Sequence, residues 1–145
     1  MKRILAAVDG SSSASRALQV ACELAARPGA RLWIVNVISK PGISDEELEE
    51  FRHAEGGSLS DLLDSLSTQV LNAARETAER RGVEEIRLIS RTGDVAETIA
   101  AIAEECAADA IVVGRRGLGG LPGLMLGSVS LKLASAAPRP VIVVP

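Results

Sequence analysis

The chain has 145 residues, a length typical of one domain with a substantial core, so we expect a single domain over residues 1–145. Hydrophobic residues make up 47% of the sequence but aromatic residues only 1%, and the formal net charge is -3. This composition predicts an aliphatic core and argues against a nucleic-acid binder, which needs a basic face and, for single strands, aromatic stacking. No apolar run has the roughly 18 residues of a membrane span, and the N-terminal apolar stretch is too short for a signal peptide. We therefore expect a cytoplasmic protein that binds no membrane.

Five short apolar segments alternate with longer segments of helical periodicity. The apolar segments predict β-strands at residues 3–8, 31–38, 85–90, 110–113 and 140–144. Most of them are almost continuously apolar, which is typical of strands covered on both faces of a sheet. The third alternates between polar and apolar residues, and we therefore expect it nearer an edge of the sheet.

Helix signals occupy the segments between these strands. The hydroxyls of residues 11–13 offer an N-cap, and Asp94 with Glu97 resembles a capping box. Apolar residues at helical spacing complete the pattern. The predicted helices run from residues 11–13 to about Ala26, from Leu59 to about Arg81, from Val95 to Cys106, and from Ser128 to a stop at Pro138.

Residues 39–57 interrupt this alternation. Pro41 and Gly42 predict a turn, and the acidic run at 44–51 predicts a short helix. We expect a mobile flap or a surface hairpin whose charges face solvent, and a lid over a ligand is the alternative.

Alternating strands and helices predict an α/β fold, a parallel sheet with helices on both faces and right-handed crossovers. Ligands of such sheets bind beyond the carboxyl ends of the strands, where the strand order reverses. Asp9, Val37 and Gly114 all lie at predicted carboxyl ends, and we therefore expect them to share one crevice.

A glycine-spaced segment follows the fourth predicted strand. Gly114 and Gly117 are separated by two residues, and Gly127 with Ser128 follows after nine more. Glycines let a backbone approach an anion closely, and the amides of a helix start favour negative charge, so the segment predicts a phosphate cradle. A flexible connector is the alternative. The sequence contains neither the Gly-x4-Gly-Lys-Ser/Thr pattern of P-loop enzymes nor a Gly-x-Gly-x-x-Gly after the first strand.

Few other residues suggest chemistry. Asp9 is read either as a turn or capping residue or as an acceptor for the hydroxyls of a nucleoside. His53 is the only histidine, and we expect it to be exposed and non-catalytic. Cys22 and Cys106 lie in apolar helical patterns, which indicates reduced core thiols. We therefore expect no structural metal site and assign no catalytic residue.

Four segments of the chain together resemble the universal stress protein family. They are residues 4–11, 109–117, 126–130 and 137–144, and the resemblance extends over essentially the whole chain. It implies an open, Rossmann-like sheet of five parallel strands in the order 3-2-1-4-5, of the adenine nucleotide alpha hydrolase-like type. The ATP-binding branch of the family carries Gly-x2-Gly-x9-Gly-Ser/Thr, and this chain reproduces that pattern in full.

The resemblance also implies a role for each site residue. The nucleoside would contact Asp9 and Val37, with Ala7 near the adenine and Gly114 near the ribose. The phosphates would be cradled by Gly117, Gly127, Ser128, Val129 and Ser130, and Mg²⁺ or Mn²⁺ would be carried by the phosphates with few or no protein ligands. Members commonly form homodimers through the last strand, here residues 140–144. Arg115 departs from the family, whose members often have Ser or Thr at this position.

The sequence thus predicts a cytoplasmic stress-response protein that binds ATP as a regulatory ligand. A slow ATPase or nucleotidyl-transfer enzyme on the same fold is an alternative, although no general base or catalytic lysine is evident. The other alternative is a protein-interaction module that binds no nucleotide.

Overall fold

The computed structural model describes residues 1–39, 46, 58–116 and 126–145. Their strands are β1 (Arg3–Ala7), β2 (Arg31–Ile38), β3 (Glu85–Thr92), β4 (Ala110–Gly114) and β5 (Val141–Val144). Their helices are α1 (Ser12–Ala25), α2 (Ser58–Arg80), α3 (Val95–Glu105) and α4 (Ser128–Ala136). The flap predicted at 39–57 lies outside the described residues except for residues 39 and 46, and His53 lies outside them too.

All five described strands are parallel and form one sheet in the order β3-β2-β1-β4-β5. The predicted fold and strand order are therefore confirmed, as is the position of β3 at an edge. β3 is longer than its apolar segment predicts, because Arg91 and Thr92 continue the pairing with β2. Their exposed, polar side chains end the hydrophobic pattern without ending the backbone pairing.

The two faces of the sheet carry separate cores. Successive side chains of a strand point to opposite faces, so Ile4 and Ala6 pack under α1 and α2, whereas Leu5 packs under α3 and α4. Both clusters are built mainly from Ala, Val, Ile and Leu, in agreement with the composition. The parallel strands are buried in this way because each crossover places a helix over the sheet.

The predicted N-caps are present. Ser11 Oγ accepts a hydrogen bond from the Ala14 amide at 3.1 Å, and Asp94 Oδ2 accepts one from the Glu97 amide at 3.0 Å. Such caps satisfy amides that a helix start leaves without an intrahelical partner. They fix where α1 and α3 begin, directly beyond the carboxyl ends of β1 and β3.

Cys22 and Cys106 are both free thiols. Cys22 lies on the buried face of α1, and burial raises the pKa of its thiol to about 11. Cys106 is only half-buried, because it lies at the C-cap of α3. Among the described residues, no helix combines the length and apolar character needed to cross a bilayer.

Candidate functional site

A crevice of about 270 Å³ opens at the carboxyl end of the sheet, where β1 lies between β2 and β4. The strand order reverses here, because the chain builds β2 and β3 on one side of β1 and then returns to place β4 on the other. Open parallel sheets bind ligands at such a reversal point. The described residues that line the crevice are Ala7, Val8, Asp9, Ala14, Val35, Val37, Val95, Ile99, Val113, Gly114, Arg116, Gly127, Ser128, Val129 and Ser130.

Most of the site residues predicted from the sequence come together at this crevice. Those that line it are Ala7, Asp9, Val37, Gly114, Gly127, Ser128, Val129 and Ser130. Gly117 lies outside the described residues. The structure therefore gathers residues from β1, β2, β4 and α4 at one place, while their individual roles toward a ligand stay predictions.

One wall of the crevice was not anticipated from the sequence. Val95 and Ile99, in the first two turns of α3, stand over the crevice beside Val37. In the sequence, these two residues belong only to the apolar spacing that predicts a helix. The place of Val95 and Ile99 in the chain could have identified them as crevice residues. Because α3 begins directly after β3, its first turns lie over the carboxyl ends of the neighbouring strands.

Asp9 forms the predicted turn contact and also lies at the crevice, while its role toward a nucleoside stays a prediction. Its Oδ1 accepts a hydrogen bond from the Ser11 amide at 2.9 Å, which is the geometry of a turn before α1. The residue also lines the crevice. Asp9 also takes part in an interaction besides this hydrogen bond.

The N-terminus of α4 provides the polar part of the crevice. Its N-cap is Gly127, which makes no side-chain cap, and the first intrahelical bond joins the Leu131 amide to the Gly127 carbonyl at 3.0 Å. The amides of Ser128, Val129 and Ser130 therefore have no partner within the helix. These amides and the helix dipole favour an anion at this end of the crevice.

Two hydrogen bonds join the described residues on either side of the glycine-spaced segment. The Gly127 amide donates to the Arg115 carbonyl at 2.7 Å, and Ser130 Oγ donates to the same oxygen at 2.8 Å. We call this pair of contacts the neck. Gly127 was expected to offer its amide to a phosphate, but in this structure the neck uses that amide.

Close packing fixes the other side of the neck. A Cβ on Gly127 would lie 3.3 Å from the Arg115 carbonyl oxygen and from Arg116 Cα. The Arg116 amide donates to Ser13 Oγ at 3.3 Å, which joins this segment to the first turn of α1. The starts of α1 and α4 are thus both held against the carboxyl end of β4.

Charge is unevenly distributed around the crevice. Of the described residues that line it, Asp9 is the only carboxylate and Arg116 the only cation. Arg115 is not among the lining residues and contributes its backbone to the neck. Within the described parts of the chain, no three acidic, histidine or cysteine side chains are grouped so as to hold a metal ion.

The fold defines a parallel α/β protein with a crevice that ends at the N-terminus of a helix. In a comparison with protein families, the model of the universal stress protein family matches residues 1–145. The chain therefore belongs to the universal stress protein family.

Known relatives resemble the chain over nearly its whole length. The universal stress protein YxiE of Bacillus subtilis is 31% identical over 145 residues, which cover 98% of this chain and 97% of the relative. The structure of universal stress protein UspA from Lactobacillus plantarum superimposes with a TM-score of 0.82 at 25% identity, covering 99% and 97% of the two chains. A universal stress protein in complex with cAMP superimposes with a TM-score of 0.71 at 26% identity, again covering 99% and 97%.

Proposed function

We propose that the chain binds an adenine nucleotide, ATP with Mg²⁺, as the regulatory ligand of a cytoplasmic stress-response protein. The observation that carries this proposal is the pairing, in one crevice, of an aliphatic chamber with the start of a helix, whose first amides have no partner within the helix. A nucleotide has the matching halves, a flat base whose two faces suit apolar contacts and an anionic tail. The relative in complex with cAMP supports the same ligand class.

The base and the ribose belong at the end of the crevice near β1 and β2. Ala7, Val37 and Val95 supply aliphatic surfaces for the two faces of a purine. Because their side chains offer no hydrogen bonds, recognition of adenine falls to backbone groups. Asp9 lies beside this chamber, and its carboxylate is suited to accept hydrogen bonds from the ribose hydroxyls.

The phosphates belong at the N-terminus of α4. The amides of Ser128 and Val129, the exposed Ser128 hydroxyl and the Arg116 side chain are donors of the kind that phosphate oxygens accept. Hydrogen bonds to charged groups contribute about 1.5–3 kcal/mol each, so three or four such bonds are compatible with micromolar affinity. Mg²⁺ would be held mainly by the phosphates.

A regulatory role fits this crevice better than catalysis. Phosphoryl transfer to water needs a group that positions the nucleophile near the terminal phosphate. Among the described lining residues, the only carboxylate is Asp9, which lies at the nucleoside end and is engaged in the turn before α1. Occupancy would instead change the surface around the neck, and partners would detect that change.

The test is calorimetric titration of Mg·ATP into the parent chain, into two variants of the crevice, Ser128→Glu and Gly127→Val, and into one control variant. Ser128→Glu places a carboxylate where the phosphates should lie, and we expect at least a roughly tenfold loss of affinity from like-charge repulsion. The matched control is Ser12→Glu, which adds the same charge at the first position of α1, outside the crevice lining. We expect its affinity to be close to that of the parent chain.

A second variant tests the backbone at the same place. Gly127→Val should abolish measurable binding, because its side chain would press on the Arg115 carbonyl and on Arg116. If the parent chain does not bind Mg·ATP, or if both crevice variants bind it unchanged, the proposed site is wrong. Adenosine, titrated separately, reports on the chamber near Val37 alone.

The proposal includes a homodimer formed through residues 140–144. β5 lies at the edge of the sheet and pairs with β4 alone among the described strands. Val141 and its neighbours in this strand are only half-buried. Pairing with β5 of a second copy would cover this apolar edge, which is otherwise a site of aggregation.

A further inference from the structure

The hydroxyl of Ser130, a residue that lines the crevice, is engaged by backbone carbonyls of the chain itself. It donates to the Arg115 carbonyl at 2.8 Å, an ordinary length for such a bond, and lies 3.2 Å from the Gly127 carbonyl. Both neighbours are acceptors, and a serine hydroxyl carries one proton. A phosphate oxygen is also an acceptor, so Ser130 would have to give up the neck in order to donate to a phosphate.

Burial reinforces this conclusion. Ser130 is 2% exposed, whereas Ser128, the first residue of the same helix, is exposed. The bond to Arg115 also spans 15 positions of the chain, so it is a tertiary contact and not a local cap within α4. The hydroxyl therefore joins the end of β4 to the start of α4.

We infer that Ser130 is a positioning residue, whose hydroxyl sets the direction in which the α4 amides face the crevice and is not itself a ligand of the phosphates. The inference rests on the proposed nucleotide function and refines it. The geometry of an anion site depends on where the helix axis points, since the donors are the first amides of the helix. With the Ser130 bond removed, the Gly127 amide alone would hold the neck.

The experiment uses two variants that differ in one group. Ser130→Thr keeps the hydroxyl, and Ser130→Val has nearly the same shape but replaces the hydroxyl with a methyl group. The loss of one hydrogen bond corresponds to about a three- to tenfold change in an equilibrium constant. We expect Ser130→Val to weaken Mg·ATP binding by about that factor, and Ser130→Thr to bind Mg·ATP as the parent chain does. The affinity for adenosine should change in neither variant.

A second measurement, without any nucleotide, separates positioning from ligation. Amide hydrogen exchange followed by NMR should show the Gly127 amide exchanging about three- to tenfold faster in Ser130→Val than in Ser130→Thr, because the neck opens more often. A thermal unfolding curve of each variant verifies that it is folded.

The outcomes distinguish this inference from the proposed function. Weaker ATP binding in Ser130→Val without faster Gly127 exchange would mean that the hydroxyl contacts the ligand, and would overturn the inference. Unchanged exchange and unchanged binding would also overturn it, while leaving the nucleotide site in place. If the parent chain binds no nucleotide, the proposed function fails, and the inference fails with it even if Gly127 exchange shows that Ser130 holds the neck.

Discussion

Gly114 packs directly against Ser13, so that the end of β4 touches the first turn of α1. A Cβ on Gly114 would lie 2.4 Å from Ser13 Oγ, 2.7 Å from the Ser13 carbonyl carbon and 2.9 Å from its carbonyl oxygen. Real side chains do not approach so closely. Glycine at this position is therefore required by the packing of α1 on the sheet, whether or not a ligand also approaches it.

Gly114→Ala should consequently destabilise the chain before any ligand is considered. We expect the free energy of unfolding, measured by urea denaturation, to fall by about 3 kcal/mol, because α1 has to move away from β4. Ser13→Ala combined with Gly114→Ala should not restore stability, since the backbone of Ser13 remains in the way. Full recovery in the double variant would show that only the hydroxyl was obstructing the methyl group.

Unlike the contact between Gly114 and Ser13, several features of the fold and the site could be predicted from the sequence. The strands, the helix caps at Ser11 and Asp94, and the gathering of Asp9, Val37 and Gly114 at one edge follow from short-range patterns and from parallel topology. These features depend on residues near each other in sequence or on the shared direction of the strands.

The remaining features depend on packing between distant segments. The Arg116 amide meets Ser13 across 103 positions, and no local pattern indicates that contact. The same is true of Ser130 and Arg115, where the hydroxyl of a residue predicted to contact phosphate forms a bond of the neck. A sequence can indicate that a serine lies near a site, but the partner of its single proton is decided by the three-dimensional arrangement.

Asp109 should make the stability of the chain depend on pH in the acid range. Its Oδ2 accepts hydrogen bonds from the amides of Arg3 and Lys2, each at 2.9 Å, and these bonds lower the pKa of the carboxyl group. A carboxyl group whose pKa is lower in the folded state stabilises that state above its unfolded pKa, which is about 3.9. That stabilisation is lost as the pH falls through the folded pKa.

Urea unfolding of the parent chain and Asp109→Asn between neutral pH and about pH 3 measures this effect. We expect the parent to be more stable at neutral pH and the difference to shrink below about pH 4. Glu76→Gln, on the exposed face of α2, is the control for loss of a negative charge. A difference that stays constant down to the lowest pH would contradict the role assigned to the Asp109 carboxylate.

Val143→Pro should separate the proposed dimer into monomers. The Pro140 carbonyl accepts from the Ile111 amide at 2.8 Å, and the Val144 carbonyl accepts from the Arg115 amide at 2.7 Å, so these residues face β4. By the alternation of a strand, the backbone groups of Val143 face outward from the sheet. Proline there removes an outward N–H and leaves the bonds to β4 intact, as proline does on edge strands.

Val143→Ala is the matched control, because it shortens the same side chain but keeps the N–H. We expect sedimentation velocity over a dilution series to give a dimer for the parent chain and for Val143→Ala, and a monomer for Val143→Pro. Val141→Pro, at the other outward position of β5, should have the same effect and guards against a local distortion at one site. A parent chain that is monomeric, or proline variants that remain dimeric, would show that the edge of β5 is not the interface.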